Sequence, residues 1–344
     1  MLKYTPACFS CTSATAPAPP TTTTSVYSTH IGKISLTWNR GLLGLSLIAN
    51  LQLFPSSAAE NQTESAGDHL RFRIFLLLPF KRKGSKWLRL NTDGGRRFSV
   101  ELVWDLTGAT FHRVCGPEPV EGFFFVIAVD GEMALVVGDR RNEAFWRIKA
   151  VRPRNEEIRT EQTSKKVEVK LGEIGRSISW MAIARFSGRE REVLMSIDLE
   201  KKRMRLTING ERVLHVSRLR WNFRGSERVA AEGGDRIQVT WDLFRFLFRE
   251  ESGGKQSPSS APAIDGDAVI VLRFENVEEG YFGKRTGWGY FGKSANWSEG
   301  SGRSWTMADS SKTVEDWESM EDVKLRNSDA NGFTLVMCAK RSLN

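Results

Sequence analysis

The sequence predicts an all-β fold: an antiparallel β-sandwich, or a pair of packed β-rich halves, with one or two short helices. Three observations carry that prediction, and the stretch from Phe98 to Asp139 holds all of them. Phe123, Phe125, Ile127 and Val129 alternate with Phe124, Val126 and Ala128, so both faces of one strand are apolar, as in a central strand buried between layers. Asp130-Gly131 follows, and Asx-Gly supplies the positive φ angles that a two-residue type I′ hairpin turn requires; Asn209-Gly210 repeats the signal. Third, a strand ending in Trp-Asx recurs: Val100, Leu102, Trp104-Asp105; Ile34, Leu36, Trp38-Asn39; Ile237, Val239, Trp241-Asp242; and, in shorter form, Leu219, Trp221-Asn222. The expected role of each pair is an indole closing the core while the Asx side chain accepts backbone N–H groups to start a turn.

Met1 to Thr24 is rich in Ala, Pro, Thr and Ser, a composition that buries too little apolar surface to offset chain entropy; residues 1–23 are expected to be a disordered leader. No Asp or Glu precedes Glu60, a trait of organelle transit segments, although no Arg-rich amphipathic pattern accompanies it. Gly41 to Phe54 is shorter than the ~20 apolar residues that span a bilayer, and it reads as a hairpin partner of Ile34 to Trp38. No transmembrane segment is predicted. A β-rich domain is expected over 24–274, with polar linkers at 55–68 and 250–267. Gly116-Pro117-Glu118-Pro119 breaks the chain, because each proline fixes φ and removes a donor. Asn142 to Val151 is expected as a short helix with Phe145 and Ile148 on one face. Further strands follow at Val167–Leu171, Ser177–Phe186, Glu192–Leu199, Arg203–Ile208 and Arg236–Phe248. Over 275–331 stands a tandem Gly-Tyr-Phe-Gly-Lys repeat, then a capping box at Thr313 opening a helix to Arg326. Residues 332–344 close the chain as a terminal strand.

The net charge of +9 favours polyanionic partners. The densest basic cluster is Lys81, Arg82, Lys83, Lys86 and Arg89 around Trp87, a combination suited to single-stranded nucleic acid or a membrane interface. Its plainer form is a charged hairpin with Trp87 turned inward, which the usual burial of strand tryptophans favours. Tyr281, Phe282, Trp288, Tyr290, Phe291 and Trp297 in the repeat, with Trp317 in the acidic helix, are candidate contacts for a protein partner. Cys8, Cys11, Cys115 and Cys338 are too few for a disulfide framework and fit a reducing compartment, cytoplasmic or nuclear, with a plastid as the alternative. Cys8 and Cys11 have CxxC spacing but no second pair to complete a zinc site. The four histidines are isolated, and no P-loop, GxSxG or GxGxxG motif is present, so no catalytic residue, cofactor or metal ligand is assigned. Asp105 and Asp242 would form a glycosidase-like carboxylate pair only if the fold brought them together.

The stretches Tyr27 to Leu47, GPEPVEGF and VDGEMALVVGD, RLRWNFRG with Ile237 to Phe248, and the closing GFTLVMCAKR resemble the plant family termed domain of unknown function 868. The resemblance implies a land-plant protein and brings no catalytic residues with it. The leader, the aromatic repeat and the acidic helix depart from the pattern, and Arg245 stands where an acidic residue is expected. The functional expectation is a non-catalytic β-sandwich that binds or scaffolds a protein partner. The alternatives are anionic lipid or nucleic acid held by the basic loop and, further off, a carbohydrate-active enzyme.

Overall fold

The computed structural model describes residues 17–42, 44–53, 70–77, 82–91, 97–112, 114–148, 161–171, 175–231, 235–248, 267–275 and 332–341. The leader to residue 16, the linkers 55–68 and 250–266, Lys81, the aromatic repeat and the acidic helix lie outside these residues; Asp267, expected in the second linker, begins a strand. The chain divides into two units, and all the elements below belong to the one made of Met1–Glu275 and Phe333–Asn344, but for Gly332 at the start of the last strand.

A first meander runs through β1 (Thr22–Thr29), β2 (Gly32–Gly41), β3 (Gly44–Leu53) and β4 (Leu70–Leu77), each antiparallel to the next. Next come β5 (Lys83–Asn91), β6 (Arg97–Asp105), the small pair β7 (Thr110–Phe111) and β8 (Pro119–Glu121), then β9 (Phe124–Val129), β10 (Glu132–Gly138) and α1 (Arg141–Arg147). After β11 (Glu161–Leu171) a second meander follows: β12 (Ser177–Phe186), β13 (Arg189–Asp198), β14 (Arg203–Ile208) and β15 (Glu211–Val216). The chain then runs through β16 (Arg224–Ala230), β17 (Arg236–Asp242), α2 (Phe244–Leu247), β18 (Asp267–Glu275) and β19 (Gly332–Arg341). The fold is all-β, and β1 begins two residues before the expected domain boundary at 24.

The strands assemble into a nine-stranded sheet, β16-β17-β18-β19-β11-β1-β2-β3-β4, and two four-stranded sheets, β10-β9-β6-β5 and β12-β13-β14-β15. Both small sheets cover the same face of the long one. Thr23 of β1 is paired with Trp38 on one side and Val167 on the other, and directly paired residues project to one face. Trp38 lies in the core beneath β6 and β9, whereas Val167 lies in the core beneath β12 to β14. The two cores thus stand side by side on one sheet.

Connectivity repeats between the halves. Each has a four-stranded meander followed by four strands in which the second ends in Trp-Asp, β5-β6-β9-β10 in one and β16-β17-β18-β19 in the other. The Trp-Asp strands match bond for bond. Gly84 pairs with Trp104 and Gly225 with Trp241; Lys83 pairs with Asp105 and Arg224 with Asp242. Leu106 N donates to Arg82 O (2.6 Å) and Leu243 N to Phe223 O (2.8 Å). Each indole lies over its glycine, where an added Cβ would meet ring carbon Cζ2 at 2.9 Å for Gly84 and 2.3 Å for Gly225. Gly225→Ala is therefore expected to lower stability by about 2 kcal/mol through overpacking, and Gly84→Ala by less. Urea midpoints check the order; a neutral Gly225→Ala would mean that the indole is not seated there.

Both expected Asx-Gly turns form, with φ of 51° and 81° at Asp130-Gly131 and 50° and 83° at Asn209-Gly210. A third of the same kind, Ser187-Gly188, joins β12 to β13. Every residue of β9 is buried: Phe125, Ile127 and Val129 face the long sheet, while Phe124, Val126 and Ala128 pack under Ala144 and Ile148 of the α1 region. Each large side chain so buried contributes roughly 1.5–3 kcal/mol. The strand expected over 236–248 stops at Asp242, because its Oδ1 accepts Phe244 N (2.9 Å) and turns the chain into α2.

A polar seam separates the cores. Ser25 and Lys165, paired across β1 and β11, both reach Glu118 of the Gly-Pro-Glu-Pro loop: Ser25 Oγ donates to Oε1 at 3.0 Å and Lys165 Nζ stands 2.8 Å from Oε2. Gly116 presses on Thr23, whose Oγ1 would lie 2.6 Å from an added Cβ. Cys115 Sγ meets Met181 Sδ of β12 at 3.4 Å, so the loop touches the second small sheet as well.

Candidate functional site

Among the described residues strand β5 is the edge of its sheet, paired on one side, with β6. Gly84 and Leu88 pair with Trp104 and Val100, whose side chains fill the core, and Leu88 packs against that core. Alternation then places Trp87 on the opposite face. Its side chain is 61% exposed, so the inward orientation expected from the sequence is overturned. Lys83 and Arg89 are exposed on its face, whereas Lys86, paired with core residue Leu102, is exposed from the opposite side of the strand, and Arg82 is exposed just before it. The described part of the cluster read from the sequence is therefore an edge strand with cations on both faces and an indole exposed on the outer one.

The edge runs into a fixed charge node. Asp105, the residue after Trp104, has a buried carboxylate 3.4 Å from Lys83 Nζ and 3.8 Å from both Arg140 and Arg147. Its Oδ1 also accepts the amide of Thr107 (3.0 Å) and its hydroxyl (2.5 Å). Burial alone would raise its pKa, but the Thr107 hydroxyl and amide and the Lys83 ammonium together hold it below the ordinary carboxylate value. Of these cations, Lys83 is thus bound to the fold. Arg82, Lys86 and Arg89 stand free of the Asp105 node.

Asp242 does at the other end of the long sheet what Asp105 does here, holding Phe244 N and Arg224 Nε (2.9 Å each). The two carboxylates stand in different sheets and each closes its own turn. They do not form the pair that glycoside hydrolysis requires. Of the Trp-Asx pairs, Trp38, Trp104 and Trp241 are buried as expected, whereas Trp221 is 83% exposed. Trp221 lines a groove of about 460 Å³ with Lys201, Lys202, Arg203, Ser217, Arg218 and Arg220. Sequence inspection missed this second basic surface, although its cations stand in short runs, Lys201 to Arg203 and Arg218 to Arg220.

Cys115 and Cys338 are buried, and burial pushes the Cys115 thiol up to about 11, which leaves it unreactive. Among the described residues no group of three or more His, Cys, Asp or Glu is placed to hold a metal ion, and no helix is long and apolar enough to cross a membrane. Tyr281, Phe282, Trp288, Tyr290, Phe291, Trp297 and Trp317, the candidate protein contacts, lie outside the described residues.

The sequence profile of a family described as plant proteins of unknown function, DUF868, matches residues 18–341. No curated protein and no solved structure matches the chain. Since the profile match takes in both halves of the fold, the seam loop and both basic surfaces, the chain belongs to the DUF868 family of plant proteins of unknown function.

Proposed function

We propose that the chain is a non-catalytic binding module whose partner is polyanionic. The observation that supports this most is the outward Trp87 on β5, with Arg89 exposed on the same face and Arg82 and Lys86 exposed along the same edge. An exposed indole on an edge strand gains from a partner that covers it, and cations along that edge select a negative one. The β-sandwich serves as the rigid support, because the inward residues of β5 are locked against the Trp104 core.

Retention of the purified chain on anionic liposomes and on single-stranded RNA, at low and at physiological salt, tests the reading. Binding to one of them is expected to weaken steeply with salt. Reversing Arg82, Lys86 and Arg89 to Glu is expected to reduce retention on the liposomes by about tenfold or more. Lys83 is left in place, since a glutamate there would face buried Asp105. Salt-insensitive binding, or liposome retention unchanged by the triple reversal, would sink the proposal.

A further inference from the structure

The groove at Trp221 is a separate surface and does not depend on the β5 edge. It is formed where the turn between β13 and β14 meets the 217–223 segment, joined by Leu219 N donating to Lys202 O at 3.0 Å. Between residues 198 and 221 stand seven Lys and Arg against three Asp and Glu. The field is felt locally: burial, then Arg205, Arg212 and Arg203, hold the His215 imidazole below its ordinary range.

The loop that presents Trp221 is rigid. Leu219 is fully buried and anchors it. Trp221 N and Asn222 N both donate to Arg218 O (2.8 and 3.1 Å), Asn222 Nδ2 donates to Ser217 O (3.1 Å), and Trp241 Nε1 donates to Asn222 O (3.0 Å). Trp221 is therefore held out in water by its neighbours. Two cations of the groove, Lys202 and Arg218, also sit at φ of +50° and +55°, a region glycine or asparagine occupies at lower cost. Such outliers cluster at ligand sites, where surrounding structure holds them. Past Trp221 the loop enters a partly exposed cluster of Phe223, Phe244 and Phe248, with ring centroids 5.3–5.5 Å apart and the Arg224 guanidinium over Phe223 and Phe244.

We propose that this groove binds single-stranded nucleic acid, one base stacking on Trp221 while Lys201, Lys202, Arg203, Arg218 and Arg220 engage the flanking phosphates. An exposed indole on a hydrogen-bonded loop within a cationic groove of nucleotide size, with Phe223 two residues on and Phe244 and Phe248 packed against Phe223, is the arrangement that stacking on unpaired bases uses. A membrane anchor would use an indole set among apolar neighbours, whereas the residues that line this groove with Trp221 are five cations and Ser217, as a phosphate backbone requires. Duplex would offer phosphates but no free base face for the indole.

Fluorescence anisotropy of the full chain with a labelled oligouridine, the matching duplex, and anionic vesicles as competitor tests the assignment. The oligouridine is expected to bind more tightly than the duplex. Trp221→Ala is expected to weaken it by roughly tenfold with the urea midpoint unmoved, and Trp221→Phe to restore most of it. Arg218→Gln and Arg220→Gln are each expected to lower the slope of affinity against salt by about 0.7. The Arg82, Lys86 and Arg89 reversal is expected to leave oligouridine binding within about twofold if the groove is its seat. No oligouridine binding, affinity unchanged in Trp221→Ala, a preference for duplex, or binding to the vesicles alone would each overturn the proposal.

Discussion

Asp105→Ala is expected to lower the unfolding free energy by about 3 kcal/mol, read as a fall in the urea midpoint at unchanged slope. The carboxylate is buried, and it holds the Thr107 amide and hydroxyl as well as facing Lys83, Arg140 and Arg147. Removing it orphans the amide that starts the turn after β6 and leaves three cations around an empty position. Those cations are themselves partly exposed, so water recovers part of the loss, which holds the estimate at the low end for a broken buried pair. Asp105→Asn is expected to lie between the two, since its carbonyl still accepts from Thr107 while the charge is gone. The pH dependence follows from the sign of the shift. A carboxylate whose folded pKa lies below its unfolded value of about 3.9 stabilises the fold above that value and loses this contribution as pH falls through the folded pKa. The gap between wild type and Asp105→Ala is therefore expected to be full near neutrality and to close below about pH 4. A gap that stays constant into acid would place the loss in packing and not in charge.

What was legible in the sequence was whatever physics writes locally. Asp130-Gly131 and Asn209-Gly210 declare their turns because positive φ at two consecutive residues is tolerated by few side chains, and β9 declares its burial because both of its faces are apolar. The Trp-Asp strands were visible as repeats, but their partners were not. Lys83-Gly84-Ser85 and Arg224-Gly225-Ser226 are three residues long, stand at different distances from their tryptophans, and acquire meaning only when pairing sets each glycine beneath an indole. Trp87 failed for a related reason. Which face a strand residue takes depends on register, and a shift of one reverses it; here the pairing of Gly84 with Trp104 fixes Leu88 inward and Trp87 outward. The groove at Trp221 was hidden because its cations come from two segments that only the β14–β15 hairpin brings together.

Glu118→Leu is expected to cost about 3 kcal/mol, and adding Lys165→Met to return most of it. Glu118 belongs to the loop that fills the seam, and neither it nor Lys165 is well exposed to water, so deleting the acid strands an ammonium between two apolar cores. Ser25 loses its acceptor at the same time. Burial and then the charge of Glu118 hold the Tyr27 phenol above its ordinary range. The charge pair is worth little beyond its own desolvation, but each partner alone is expensive, so the coupling in a double-mutant cycle should be about 2 kcal/mol or more. That arithmetic explains why a polar trio can sit where two hydrophobic cores abut. An apolar seam would let the two small sheets slide on the common nine-stranded sheet, whereas Glu118 satisfies Ser25 and Lys165 together in one position only. The double variant is therefore expected to be nearly as stable as wild type yet to exchange its β1 and β11 amides faster. Unchanged exchange with restored stability would show that apolar packing alone sets the relation of the two small sheets, and a coupling near zero would show that the seam is wet.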